Sequence, residues 1–293
     1  MSPSQIKFIR LAILRWFADH ERALPWRSTK NPWYILVSEI MLQQTQVSRV
    51  LPKYQEFIGR WSTPKGFASL SLAEVLRFWS GLGYNRRAKL LHLAAQQIMV
   101  RHRGRVPLDV SLLRKLSGVG EYTARAVVSF ADNQDVACVD TNIRRIFLRV
   151  LWGGEFAESH PSAEELQLAL DQIVPKGKSR IWHNALMDFG SLVCRSRDPQ
   201  CIDCPLLRQC KSGKNFLHGS APVQSILRPQ KKFLGSRRQV RGAILRKLSQ
   251  SSDIVLLKIF SQQFPTHDVN VIIQELVREG LVRVKDNHVA LPD

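Results

Sequence analysis

Residues 112–130, LLRKLSGVGEYTARAVVSF, decide how this chain folds. Two segments with apolar residues at helical spacing, LLRKL and EYTARAVVSF, are parted only by Ser117-Gly118-Val119-Gly120. Two glycines in so short a turn permit close backbone approach, and the amides that open the second helix can cradle a phosphate. Many helix turns use two glycines, so by itself the segment specifies a helical hairpin and nothing more. Outward from it the pattern stays helical. Residues 3–20 carry Ile6, Ile9, Ile13, Trp16 and Phe17 on one face, and Pro25 interrupts the chain soon after them. An apolar helix is expected from about Trp33 through Thr45, with others near 72–79, 86–102, 121–131, 141–151, 163–173 and 180–193. Strand signals are nearly absent before residue 230, so the fold class is mainly α. Residues 211–236 mix Gly, Pro, Ser and Lys without a period and read as a linker. Helices resume at 237–249, 253–262 and 268–279. The final LVRVKDNHVALP alternates around Asp286-Asn287 as a short hairpin does, which makes the end a winged-helix-like module.

The chain has 293 residues, with 43 Lys and Arg against 24 Asp and Glu, a net charge of +19. That length implies two or three domains. Residues 211–293 hold 14 basic and 6 acidic side chains, a net +8, which leaves +11 for the first 210. Such a surplus is self-repelling, and a polyanionic partner is its usual reason. No apolar run approaches the ~18 residues of a membrane span, and the start lacks a signal-peptide cleavage pattern. Five cysteines are too few for a disulfide scaffold. Cys138 lies alone in an apolar stretch and reads as a small core residue, whereas Cys194, Cys201, Cys204 and Cys210 follow the spacing C-x6-C-x2-C-x5-C. Four neighbouring thiolates need a soft cation to offset their repulsion. Both zinc and a [4Fe–4S] cluster accept such a set. A cytoplasmic location fits this cysteine usage, with the nucleoid as its place if the host is bacterial or archaeal.

Two acidic residues stand out. Glu39 lies inside ILVSEIML (35–42), which puts a carboxylate on a largely buried helix. It is either paired with a buried arginine or holds a proton near neutrality because desolvation raises its pKa. Asp140 begins a helix, where it can serve as N-cap and where the helix dipole favours its negative charge.

The cysteine spacing resembles the cluster loop of the endonuclease III superfamily of DNA glycosylases. The order of hairpin, V-D-x-N segment and cysteine loop, over about residues 24–211, resembles the helix-hairpin-helix glycosylases. Within them LPWR (24–27), SEIMLQQTQV (38–47), GLGY (81–84), GVGEYTARAV (118–127) and VDTNIRR (139–145) look most like MutY-type adenine DNA glycosylases. The resemblance implies a two-lobed glycosylase domain over 1–218. Its six-helix lobe spans about 25–135, and its terminal lobe comprises 1–24 and 136–211, with the cluster loop at 194–210. A linker (219–236) and the winged-helix-like domain (237–293) complete the organisation. The resemblance also implies a [4Fe–4S] cluster on Cys194, Cys201, Cys204 and Cys210, serving as a structural staple.

By the same resemblance Glu39 is the acid that protonates N7 of adenine, and Asp140 stabilises the oxocarbenium ion at C1′. Tyr122 stands where bifunctional relatives carry a Schiff-base lysine. The enzyme is therefore expected to be monofunctional, with Tyr122 and Asn142 fixing the catalytic carboxylate; Lys115 has no lyase role. Gln43 and Gln44 match the wedge and mismatch-contacting residues, Tyr84 a residue near the bound bases, and Gly118, Gly120, Arg27 and Arg86 further DNA contacts. Asn85 and Thr141 depart from the family pattern, and 237–293 is too short for the usual Nudix-like domain. The expected partner is double-stranded DNA containing a mismatch, bound by a monomer, with adenine opposite G or 8-oxoguanine removed. Removal of thymine or uracil from G mismatches, or DNA binding without catalysis, are the alternatives.

Overall fold

The computed structural model describes residues 1–224, 226, 232–251 and 255–293. Its helices are α1 (Pro3–His20), α2 (Pro32–Leu42), α3 (Val47–Arg60), α4 (Pro64–Ala68), α5 (Leu72–Trp79), α6 (Arg86–His102), α7 (Val110–Leu113), α8 (Glu121–Asp132), α9 (Thr141–Phe147), α10 (Ala163–Asp171), α11 (Ser179–Leu192), α12 (Gly213–Leu217), α13 (Arg237–Gln250), α14 (Leu257–Gln263) and α15 (Val269–Arg278). Three short strands, β1 (Val255–Leu256), β2 (Arg283–Lys285) and β3 (His288–Ala290), lie near the end. The chain is thus mainly helical, as the periodicity requires.

The described residues form two compact units. The first comprises Met1–Ile35, Leu108–Val110 and Gly120–Pro229. Its core brings Ile9, Ile13 and Phe17 of α1 together with Ile143, Ile146 and Phe147 of α9 and Trp182, Ala185 and Phe189 of α11. Burying each large side chain contributes roughly 1.5–3 kcal/mol. Arg10 ties α1 to the residues after α10, donating from Nε to the Ile173 carbonyl (2.8 Å) and from Nη2 to that of Val174 (3.0 Å). Where a helix over 141–151 is expected, α9 stops at Phe147 and passes into a wider π turn over Leu148–Trp152, ended by Gly153 at φ 90°.

The second unit comprises Leu36–Pro107, Ser111–Val119 and Gln230–Asp293. Phe57, Trp61, Phe67 and Phe78 form an aromatic cluster with ring centroids 4.8–5.8 Å apart, pinning α3, α4 and α5 together. Helices α3 and α4 are not among the expected ones, although Val50, Tyr54 and Phe57 keep helical spacing in α3 through Pro52; Pro64 starts α4. In the C-terminal module the sheet is antiparallel with order β1-β3-β2, Val289 of β3 pairing with Val255 on one side and Val284 on the other. Asp286 (φ 48°) and Asn287 (φ 59°) supply the two left-handed residues that a tight two-residue hairpin requires. The module is thus three helices, α13–α15, with a small three-stranded sheet. The module joins the lobe beside it through α13 on α5 and through Lys89, whose Nζ donates to the Glu279 carbonyl at the end of α15 (2.6 Å).

The compact units cut the chain differently from the expected lobes. Helix α8 counts with the first unit, and the C-terminal module counts with the second rather than standing alone. Of the linker at 219–236, residues 225 and 227–231 lie outside the described residues, as do 252–254, which include the start of the helix expected over 253–262.

Candidate active-site residues and the cysteine loop

Glu39 sits on α2 among the buried Leu36, Val37, Ile40 and Met41 and is only 7% exposed. Past Leu42 the last carbonyls of this helix have no helical partner, and Arg87 takes them. Its Nη1 donates to the carbonyls of Ile40 (2.8 Å), Met41 (2.8 Å) and Gln43 (2.6 Å), and its Nη2 to Thr45 Oγ1 (2.9 Å) and the Gly83 carbonyl (3.0 Å). Burial pulls the guanidinium pKa down to about 10 while Tyr84 holds it up, so Arg87 stays charged at neutral pH. One side chain therefore fixes both the end of the acid-bearing helix and the turn after it. In that turn Gln43 is half-buried and Gln44 exposed, with Gln44 in the left-handed region at φ 54°. Tyr84, 41% exposed, shares that conformation at φ 48°, and Arg86 is exposed at the start of α6. Gly118 sits at φ 77°, where a Cβ would lie 2.8 Å from Leu90 Cβ, so the hairpin turn has room for glycine alone. The Ser117 amide donates to Gln97 Oε1 (2.7 Å) and anchors the turn.

In the first unit Gly120 is the N-cap of α8, in extended backbone, and Tyr122 lies half-buried in the first turn of that helix. Asp140 caps α9: Oδ1 accepts from the Ile143 amide (2.7 Å), and Oδ2 accepts from Asn142 Nδ2 (3.1 Å). Burial pushes its carboxyl above the ordinary aspartate range; the Ile143 amide, the Arg145 charge and Asn142 draw it back without cancelling the rise. Asn142 Oδ1 accepts from Arg145 Nη2 (2.9 Å), and Arg145 reaches on to the carbonyls of Gly190 (2.8 Å) and Cys194 (2.9 Å). A continuous chain of hydrogen bonds thus runs from the Asp140 carboxylate to the first cysteine. Gly190 makes this possible, since a Cβ there would meet Asn142 Cβ at 2.8 Å.

The cysteine loop is gathered around Arg149, which is 2% exposed and ion-paired with Glu155. Its Nη1 donates to the Arg195 carbonyl (2.6 Å) and lies 3.6 Å from Cys194 Sγ, and its own carbonyl accepts from the Ser212 amide (3.1 Å). The four thiols are free. Burial pushes Cys204 up to about 12 against the Leu206 amide, and Cys210 up to about 11 against those of Ser212 and Gly213; Cys194 adds to both shifts. By donor type, four thiols on one loop suit a soft metal centre. Among the described residues no group of three or more His, Cys, Asp or Glu side chains is placed to hold a metal ion.

Residues 37–176 match the family model of the HhH-GPD superfamily of base excision DNA repair proteins. An adenine DNA glycosylase of Mycolicibacterium smegmatis is 41% identical over 241 residues, covering 82% of this chain and 80% of that protein. One of Mycobacterium tuberculosis is 38% identical over 291 residues, covering 96% and 92%. The chain belongs to the adenine DNA glycosylase family. It is a base-excision DNA N-glycosylase, a hydrolase. Among solved structures, that of a thermostable thymine-DNA glycosylase superposes with TM-score 0.68 at 29% identity, covering 72% of this chain and 98% of that one.

In this adenine DNA glycosylase family member Arg27 is engaged within the protein. Its guanidinium is 8% exposed and grips the fully buried Asp188 of α11 with both nitrogens at 2.7 Å, beside Arg22 Nε at 2.6 Å. Burial raises the Asp188 carboxyl, but the two arginines more than offset it and hold it below the ordinary aspartate range. The wing residue Arg283 is likewise engaged, with Asp293. Two residues escape a reading from sequence. Arg87 could be found as the member of Arg86-Arg87 that falls on the apolar face of α6. His183 accepts the Cys138 N–H at Nε2 (3.0 Å) and faces the Ser179 carbonyl with Nδ1 (2.7 Å), fixing the segment that leads to Asp140; burial takes its pKa down to about 4. No signal in the sequence distinguishes that histidine from any other in a helix.

Proposed function

We propose that this glycosylase releases adenine from mismatches in double-stranded DNA, opposite G or 8-oxoguanine. The observation that carries the adenine assignment is the likeness to adenine DNA glycosylases, which spans 96% of the chain and so extends into the C-terminal module. Glu39, kept dry on α2, donates a proton to N7 and turns adenine into a neutral leaving group. The bond from C1′ to N9 breaks, its electrons leaving with the base, and positive charge develops on the sugar. Asp140, oriented by the Ile143 amide and by Asn142, stabilises that charge, with Tyr122 supporting the same carboxylate. Water then adds to C1′ and gives up a proton, which balances the one Glu39 donated, and an abasic site is left. Since a phenol forms no imine, the strand is not cut. Gln43, Gln44 and Tyr84 fill and contact the gap left by the extruded nucleotide, Gly118 and Gly120 bring hairpin amides to phosphate, and Arg86 adds a cation.

Cys194, Cys201, Cys204 and Cys210 would hold a [4Fe–4S] cluster, whose part is to rigidify the loop; the reaction passes through none of its atoms. Purified protein is expected to be brown, with iron and acid-labile sulfide in equal amounts. The deciding test is a panel of duplexes containing A:8-oxoguanine, A:G, T:G and U:G, treated with hot alkali to reveal abasic sites. Cleavage confined to adenine-containing strands supports the assignment; cleavage of T:G or U:G alone would replace it.

A further inference from the structure

Helix α13 of the C-terminal module borders the turn after the acid-bearing helix. A cleft of about 890 Å³ is lined there by Gln43, Gln44 and Tyr84 on one side and by Arg238, Gly242 and Arg246 on the other, with Arg49 and Arg86 at its edge. The arginines of α13 divide into two sets. Arg237 and Arg241 pair with Glu275 (2.8 Å) and Glu279 (2.6 Å), Arg241 doing so while it also lines the cleft. Arg238 and Arg246 face the cleft. Arg238 Nη1 donates to the Tyr84 hydroxyl (3.3 Å), and Arg246 is exposed with no acidic partner among the described residues. Eight residues separate the two, about 12 Å along the helix, far enough to meet different phosphates. Gly242 lies between them on the same face with nothing within 4 Å of a built Cβ, so nothing blocks the approach of a strand. Among the described residues Glu279 is the one acid lining the cleft, and Arg241 neutralises it.

A duplex with one nucleotide extruded leaves the partner strand locally unpaired, and that strand needs cations spaced along its backbone. We infer that α13 is a phosphate clamp for the strand opposite the excised nucleotide, with Arg238 and Arg246 each taking one phosphate. The C-terminal module thereby acts through its first helix rather than through the wing or α15. This rests on the proposed placement of Gln43, Gln44 and Tyr84 against the unpaired site.

The test uses the full-length, cluster-loaded protein and a duplex carrying a tetrahydrofuran abasic analogue opposite 8-oxoguanine. Fluorescence anisotropy gives Kd from about 50 to about 200 mM NaCl. The double variant Arg238→Gln, Arg246→Gln should bind more weakly at low salt, and its slope of log K against log salt should flatten by about 1.8, two phosphates at about 0.9 each. Lys247→Gln, exposed on the same helix but outside the cleft, should keep the wild-type slope. Gly242→Glu should weaken binding without removing any cation. Equal slopes for the double variant and wild type, or an equal loss in Lys247→Gln, or unimpaired binding by Gly242→Glu, would overturn the clamp; thermal melting checks that each variant is folded. Adenine release by wild type is scored separately, so a failed excision assay sinks the substrate assignment and leaves the binding comparison to judge the clamp.

Discussion

Arg87 shows how much one unlabelled side chain can carry. Its guanidinium takes the carbonyls of Ile40 and Met41, and shares that of Gln43 with Thr45 Oγ1 (3.3 Å) and that of Gly83 with Trp79 Nε1 (3.0 Å). Each orphaned acceptor costs about 1–3 kcal/mol. Arg87→Met is therefore expected to lower stability by about 3 kcal/mol or more in urea titrations and to cut adenine release further than the loss of folded protein explains. Arg87→Lys, with no planar fork, should recover only part of both. At Asp140 the raised carboxyl pKa gives the proposed role a direct kinetic reading, since that role requires an ionised carboxylate. As pH falls, single-turnover release should decline before the ordinary aspartate value of 3.8 is reached; an acid limb confined below that value would count against Asp140 in this role. Asp140→Asn removes the charge while keeping an acceptor for the Ile143 amide, and should slow release by about 10²–10³-fold or more. None of this is readable from periodicity. Glu39 and Asp140 announce themselves by sitting in short, recognisable strings, whereas Arg87 and the Arg27–Asp188 pair are defined by partners tens to more than a hundred residues away. A string such as LPWR does not reveal that the cation of Arg27 is engaged with Asp188.

At the scale of elements, the hairpin and the C-terminal turn are legible in the sequence because each is decided locally. Gly118 and Asp286-Asn287 occupy the left-handed backbone that their short turns demand. The wider turn after α9 and the bounds of α3 and α4 are not, because tertiary packing rather than propensity sets them. Helix α11 illustrates the difference. It carries Gly190 against Asn142, Asp188 under Arg27, and His183 beneath Cys138, three contacts that no spacing rule could anticipate. Gly190→Ala should press α9 off α11, costing about 1–3 kcal/mol and loosening Asn142 and Asp140, so that release falls while affinity for an abasic-analogue duplex is kept. His183 makes α11 sensitive to acid. Its folded pKa of about 4 lies below the unfolded 6.5, so between these values the unfolded chain binds the additional proton. Stability is then whole above pH 6.5 and falls as pH drops toward 4, by about 3 kcal/mol in all. The Asp188 contribution has the same sign but a lower window. It is present above 3.8 and is lost only as pH falls further through its depressed folded value, so the two losses separate in a series of urea midpoints against pH.

For the molecule as a whole, the decisive quantity is the imbalance of 43 basic against 24 acidic side chains. Even if every acid found a partner, many cations would remain uncompensated, and those on the surface repel one another in the free protein. Salt shortens the reach of that repulsion, from a Debye length of about 30 Å at 0.01 M to about 10 Å at 0.1 M. The same surplus is neutralised when DNA binds, and there salt acts the other way, because counterions released from the phosphates must be returned to a more concentrated solution. Sodium chloride should consequently move two measurements of one protein in opposite directions. Between about 50 and about 200 mM the melting temperature of the free chain should rise, by about 2–4 °C for each 1 kcal/mol of repulsion relieved. Over the same range affinity for duplex should fall by about 10³-fold or more if six or more phosphates are contacted. The exposed ion pair Arg195–Asp198 and the half-buried Lys53–Glu56 weaken with salt too, but surface pairs contribute little, and they cannot reverse the sign set by the basic surplus. A melting temperature that falls with salt would mean that the basic side chains are compensated within the free protein, and the charge surplus would then no longer argue for a polyanionic partner.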